Sequence, residues 1–134
     1  MSRLAWLAAL LFVFAGAASA LAQDAKTDPR EKLETAIPEA IRLLEAKEYV
    51  KLLKDFVKPE DFKRITASTP LEDFARKFGE GKAPRLLEAL KAAKELKPEL
   101  ADAGRKATYS FKEPIGGKSS ITFVKVEKYW YISD

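Results

Sequence analysis

Residues 119–134 read SSITFVKVEKYWYISD. Their β-branched and aromatic side chains suit a pleated surface with one side buried. Residues 121–126 make one strand and 129–133 its antiparallel partner, joined at Glu127-Lys128. That turn sets Val126 opposite Tyr129, Val124 opposite Tyr131 and Phe123 opposite Ile132. Side chains alternate along a strand, so Ile121, Phe123, Trp130 and Ile132 share one face. Thr122, Val124, Val126, Tyr129 and Tyr131 share the other. The first face carries the Trp and no Tyr hydroxyl, which makes it the core side. The second is apolar as well. Val124, Val126, Tyr129 and Tyr131 are therefore the expected surface for a ligand or a partner chain. Glu127-Lys128 departs from the Asn-Gly or Asp-Gly that tight hairpin turns favour.

Upstream, Ala107, Tyr109 and Phe111 alternate with Thr108, Ser110 and Lys112, a half-buried strand. The segment 113–118 reads as the loop into the final hairpin. Residues 99–101 suggest a short strand turned at Asp102-Ala103-Gly104. Before Pro98 the period is helical. Leu33, Ile37, Ile41 and Leu44 predict one helix over 31–47, running through Pro38 with a kink. Tyr49, Leu52, Leu53 and Phe56 form the next stripe, ending before Pro59. Pro59-Glu60-Asp61 opens a helix through Ile65, and Thr69 is the expected N-cap of another whose buried side is Leu71, Phe74, Ala75 and Phe78. Gly79 is expected to end it. Pro84 begins the last helix, with Leu86, Leu87, Leu90 and Ala93 facing inward. Helices first, then three or four antiparallel strands, define an α+β domain with its helices packed on a C-terminal sheet.

The N-terminus reads differently. Arg3 precedes an uncharged run, and small residues follow through Ala22. This is the pattern of a secretory signal peptide over 1–22, with cleavage after Ala20 or Ala22. An uncleaved anchor is the alternative. A leader over 23–30 and a single domain over 31–134 complete the expected organisation, with the mature protein periplasmic or extracellular and free of a stable membrane span. Loss of Arg3 removes one unit from a formal net charge of +4. So mild an imbalance favours solubility over nucleic-acid capture.

The chain has no His and no Cys. That removes imidazole bases, thiolate nucleophiles and the usual zinc or copper ligands, and no metal or cofactor is expected. Carboxylates, Lys, Tyr, Ser and Thr remain. Glu60-Asp61 and Glu72-Asp73 sit where first-turn acids stabilise exposed helix amides, so they read as structural. Glu88, Lys91 and Glu95 read as a solvated face paired along one helix. Arg105-Lys106 beside Tyr109 is too little for nucleic acid. Gly116-Gly117-Lys118-Ser119 lacks the spacing of a phosphate loop and precedes a strand. Tyr109, Tyr129 and Tyr131 are candidates to line a pocket, with ordinary sheet packing the preferred reading.

The element order, with a last hairpin written Ile121-Thr122-Phe123-Val124-Lys125-Val126 and Tyr129-Trp130-Tyr131-Ile132, resembles small exported bacterial proteins of the NTF2-like cone fold. Their closing strands commonly read as a valine-rich strand, an Asp-Gly turn and then Lys-Trp-Tyr. Here Glu127-Lys128 replaces Asp-Gly, and the chain is a strand or two short of a full cone. The resemblance implies a curved sheet over helices, often dimeric, with a pocket inside. Some members bind or isomerise small hydrophobic molecules with an Asp and a Tyr. No residue of this chain matches a family site motif, and none is carried over.

The functional expectation is a non-catalytic exported domain that binds a second copy, a protein partner or a small apolar ligand through its sheet face. The alternative is a pocket enzyme of the isomerase or lyase type, using a carboxylate and a Tyr.

Overall fold

In the computed structural model residues 28–133 are described. The expected signal peptide, and the leader up to residue 27, lie outside them. A 3-10 turn, Pro29–Glu31, leads into five helices: α1 (Leu33–Glu45), α2 (Tyr49–Phe56), α3 (Pro59–Ser68), α4 (Leu71–Gly81) and α5 (Ala83–Lys94). Four strands follow, β1 (Glu99–Ala101), β2 (Lys106–Ile115), β3 (Lys118–Val126) and β4 (Tyr129–Ile132). They form one antiparallel sheet in the order β1-β2-β3-β4. The α+β class read from the periodicities is the observed one, and the sheet has four strands.

α1 runs through Pro38 as a single helix. The ring removes the donor that would serve the Glu34 carbonyl, yet the helix persists because its stripe is buried. Ala36, Ala40 and Leu43 are fully enclosed, and Ile37, Ile41 and Leu44 nearly so. α1 packs on α5, whose Ala89, Leu90 and Ala93 meet it and the sheet. Lys91 does not pair within its own helix as expected. It reaches across to Glu45 of α1 at 3.2 Å, because the packing of the two helices brings that carboxylate within range. The sheet contributes Ala107, Tyr109, Ile121, Phe123 and Trp130 to the same core. The β3–β4 pairing is the one read from the sequence, Val126 with Tyr129, Val124 with Tyr131 and Phe123 with Ile132.

Several local expectations are corrected. Thr69 is not an N-cap: it closes α3 through its backbone N–H to the Ile65 carbonyl, and Pro70 holds the N-cap position of α4 with no side-chain hydrogen bond. Proline's fixed φ of −56° with an extended ψ of 138° delays the helix by one residue. Gly79 does not end α4, which continues to Gly81. Glycine is required there by packing. A Cβ at position 79 would lie 2.8 Å from Cδ2 of the Tyr49 ring, which itself meets Phe78 edge-on at 5.9 Å.

The segment 113–118 is not a loop. β2 and β3 extend to a two-residue turn at Gly116 and Gly117, with φ of 61° and 84°, the positive values that a tight hairpin turn needs and glycine supplies. The extra residues are taken up by a register shift between Ser110 and Ile115. Pro114, which has no N–H for the ladder, falls within it.

Asp28, the first of the described residues, is tied to Arg30. Its carboxylate accepts from the Arg30 backbone at 2.9 Å and from the Arg30 guanidinium through both oxygens at 3.1 and 2.9 Å. Arg30 also donates to the Asp55 carbonyl at 3.1 Å. This guanidinium holds the Asp28 carboxyl below the ordinary carboxylate range, and Arg42 does the same to Glu39. In both cases the folded chain binds fewer protons than the unfolded one near the carboxylate pKa. Their stabilisation is present above that pKa and is lost as pH falls through the folded values. Urea midpoints should therefore drop between about pH 5 and pH 3, and Asp28→Asn should flatten part of that slope. An unchanged slope would mean the fork does not couple to folding.

Candidate functional site

Val124 and Val126 on β3, and Tyr129 and Tyr131 on β4, do lie on one face of the sheet, opposite to Phe123 and Trp130. Alternation along the strands dictates it. Thr122 continues the face, its hydroxyl 3.4 Å from that of Thr108 on β2. The four residues are not equally accessible. Val126 is 39 % exposed, Val124 and Tyr129 are half-buried, and Tyr131 is 7 % exposed.

Arg30 accounts for part of this difference. The 3-10 turn packs on β4, and the guanidinium of Arg30 lies 4.1 Å from the centre of the Tyr129 ring. Lys128 approaches the same ring at 5.3 Å. A cation over an aromatic face is attracted by the ring quadrupole, and the Asp28 fork and the Asp55 carbonyl hold Arg30 in place. What remains open is a short strip of Val124, Val126 and Tyr129 with basic groups at its edge. Sequence periodicity could not reveal Arg30, which reaches Tyr129 across nearly the whole domain.

The inner side of the sheet has a cleft of about 670 Å³ between the first turns of α1, the end of α5 and strands β1 and β2. Glu31, Glu34, Ile37, Leu100, Tyr109 and Trp130 are among its lining residues. Leu100 is 58 % exposed at its edge. Burial pushes the Tyr109 phenol up from its ordinary pKa, and the charge of Glu34 adds to that effect. Tyr109 is thus held as a neutral hydroxyl, able to donate a hydrogen bond. Its ring meets Phe123 edge-on at 5.8 Å.

The three tyrosines grouped as pocket candidates are separated: Tyr109 pairs with Ile121 on the inner face, whereas Tyr129 and Tyr131 occupy the outer one. Tyr109 was legible as a half-buried strand residue. Its neighbour Glu34, on the first turn of α1, was not.

Among the described residues, no group of three or more acidic side chains converges as a metal site would require, and no helix is long and apolar enough to cross a membrane. The acidic pairs Glu60-Asp61 and Glu72-Asp73 occupy first helical turns, with Asp61 bound to Arg64 at 2.9 Å. Compared with known protein families, curated proteins and solved structures, the chain matches none.

Proposed function

We propose that the protein is an exported, non-catalytic binding domain, a reduced relative of the NTF2-like cone fold. In this reading it joins a second copy of itself through Val124, Val126, Tyr129 and the edge of Tyr131. The carrying observation is Val126, an exposed β-branched side chain beside a tyrosine already bracketed by Arg30 and Lys128. Tyrosine and arginine around an apolar centre are the composition of protein contact surfaces. The helices-then-meander order and the inner-face cleft support the family reading.

Sedimentation of the exported chain tests this. A dimer is expected at micromolar concentration, and Val126→Asp should weaken it at least about tenfold with the melting temperature kept, since a charge at a contact centre loses its water without gaining a partner. A chain that stays monomeric at high concentration would remove the proposal.

A second reading is favoured by one observation: Glu34 and Tyr109 line the same cleft. There Tyr109 would donate to a carbonyl oxygen while Glu34 takes the neighbouring proton, the division of labour in an isomerase. Solvent deuterium entering small ketones, abolished by both Glu34→Gln and Tyr109→Phe, would establish it. No exchange above buffer would eliminate it.

A further inference from the structure

A separate hollow of about 300 Å³ lies between the end of α4, the start of α5 and the Gly116-Gly117 end of the β2–β3 hairpin. Its walls are apolar, with Phe78, Leu86, Phe111, Ile115, Ile121 and Ile132 among the lining residues. The charged residues that line it are Lys82, Arg85 and Lys118, and no Asp or Glu is among the described residues lining it.

Two unrelated parts of the chain supply these cations. Lys82 joins α4 to α5, and Arg85 stands in the first turn of α5. Lys118 begins β3. The hairpin turn is shaped to Arg85. Gly116 has a φ of 61°, and a Cβ there would lie 2.9 Å from Cδ of Arg85. The aliphatic stem of Arg85 thus rests on the turn backbone as part of the wall, while the residue as a whole stays exposed. A long cationic side chain with a packed stem keeps its head in water, at the mouth. An apolar hollow whose charged residues, among the described ones that line it, are all cationic is a selective environment.

We propose that this hollow binds the anion of a medium-chain fatty acid, its tail among Leu86, Phe111 and Ile121 and its carboxylate between Lys82 and Arg85. The apolar walls supply the tail's affinity in proportion to the area removed from water. The planar guanidinium matches a carboxylate through two parallel hydrogen bonds. The volume stands at the small end of the roughly 300–1,000 Å³ typical of ligand pockets. That size suits one short chain and excludes a two-tailed phospholipid. The site is distinct from the outer strip, because Phe111, Ile121 and Ile132 belong to the helix-facing side and the hollow lies at the opposite end of the hairpin.

Titration of the purified chain with three ligands of equal tail length tests the proposal, read by amide NMR shifts and calorimetry. The ligands are decanoate, decan-1-ol and decyltrimethylammonium, the two ions below their micellar concentrations and the alcohol below its solubility limit. Decanoate should bind saturably, with the largest shifts at Leu86, Phe111 and Ile121. Decan-1-ol should bind at least about tenfold more weakly and the cation not measurably, because the fringe attracts only a negative head. The double variant Lys82→Gln with Arg85→Gln should lose at least about tenfold in decanoate affinity and leave decan-1-ol unchanged. Both positions are exposed, so the variant keeps the fold. Should that variant prove unstable, the charge series on the unmodified chain still decides. Equal binding of all three ligands overturns the assignment. So do an unaltered affinity in the double variant, shifts centred on Tyr109 instead, or no saturable decanoate binding.

Discussion

Replacing Phe123 by Ala should remove most of the stability of this protein. The side chain is fully buried and stands at the meeting point of the sheet: opposite Ala107 on β2, opposite Ile132 on β4 and edge-on to Tyr109. Removing a buried aromatic forfeits its transfer free energy and leaves a cavity, together about 3–5 kcal/mol. Single domains have only about 5–15 kcal/mol in hand, so urea unfolding at 25 °C should show a large fall in midpoint at nearly constant slope. Phe123→Leu keeps most of the volume and should cost less than about 1.5 kcal/mol. The contrast between the two variants isolates the cavity. If Phe123→Ala lost under about 1 kcal/mol, Phe123 could not be the centre of the core.

A comparable loss is expected at Phe56, but with a different local signature. Phe56 is 1 % exposed and ends α2. Directly after it, Val57 forms a parallel bridge with Ile132 at the free edge of β4. Directly before it, the Asp55 carbonyl receives Arg30. Phe56→Ala should again cost about 3–5 kcal/mol. It should also loosen the strap that closes the sheet edge and holds Arg30 over Tyr129. Hydrogen exchange should then accelerate at Val57, Ile132 and Arg30 beyond what global destabilisation predicts, whereas Phe123→Ala should change exchange uniformly. Uniform acceleration in both variants would show that the α2 end and the β4 edge are not a local unit. An uncovered edge also presents unpaired backbone groups to other chains, so more aggregation is expected of the Phe56 variant.

Both substitutions rest on residues that periodicity alone identified. Phe56 closes a helical stripe, and Phe123 shares by strand alternation the face that carries Trp130, and local spacing carries that information directly. The same holds for the face shared by Val124, Val126, Tyr129 and Tyr131 and for the β3–β4 register. A two-residue turn between strands leaves few alternatives there, even though Glu127 must take a φ of 59°, where glycine would be at ease. The errors fell where spacing says little. Gly79 looked like a stop signal, because the sequence does not show that the Tyr49 ring lies against it. Residues 113–118 looked like a loop, because Pro114 breaks a pattern that the strand absorbs with a register shift.

The functional surfaces divide along the same line. Which side chains share a face follows from alternation, a property of each strand by itself. Which of them meet solvent depends on what comes back across the fold from far away in the chain. Arg30 over Tyr129, Glu34 near Tyr109, and Lys82 and Arg85 beside Lys118 are all encounters between segments that no local period links. The chain alone determined an α+β domain, a core side and an outer side. Tertiary packing alone decided that the outer side is half closed by a cation and that the cleft beside Tyr109 lies on the inner one. The reason is that burial is set by the sum of long-range contacts, whereas periodicity reports only the direction in which each residue points.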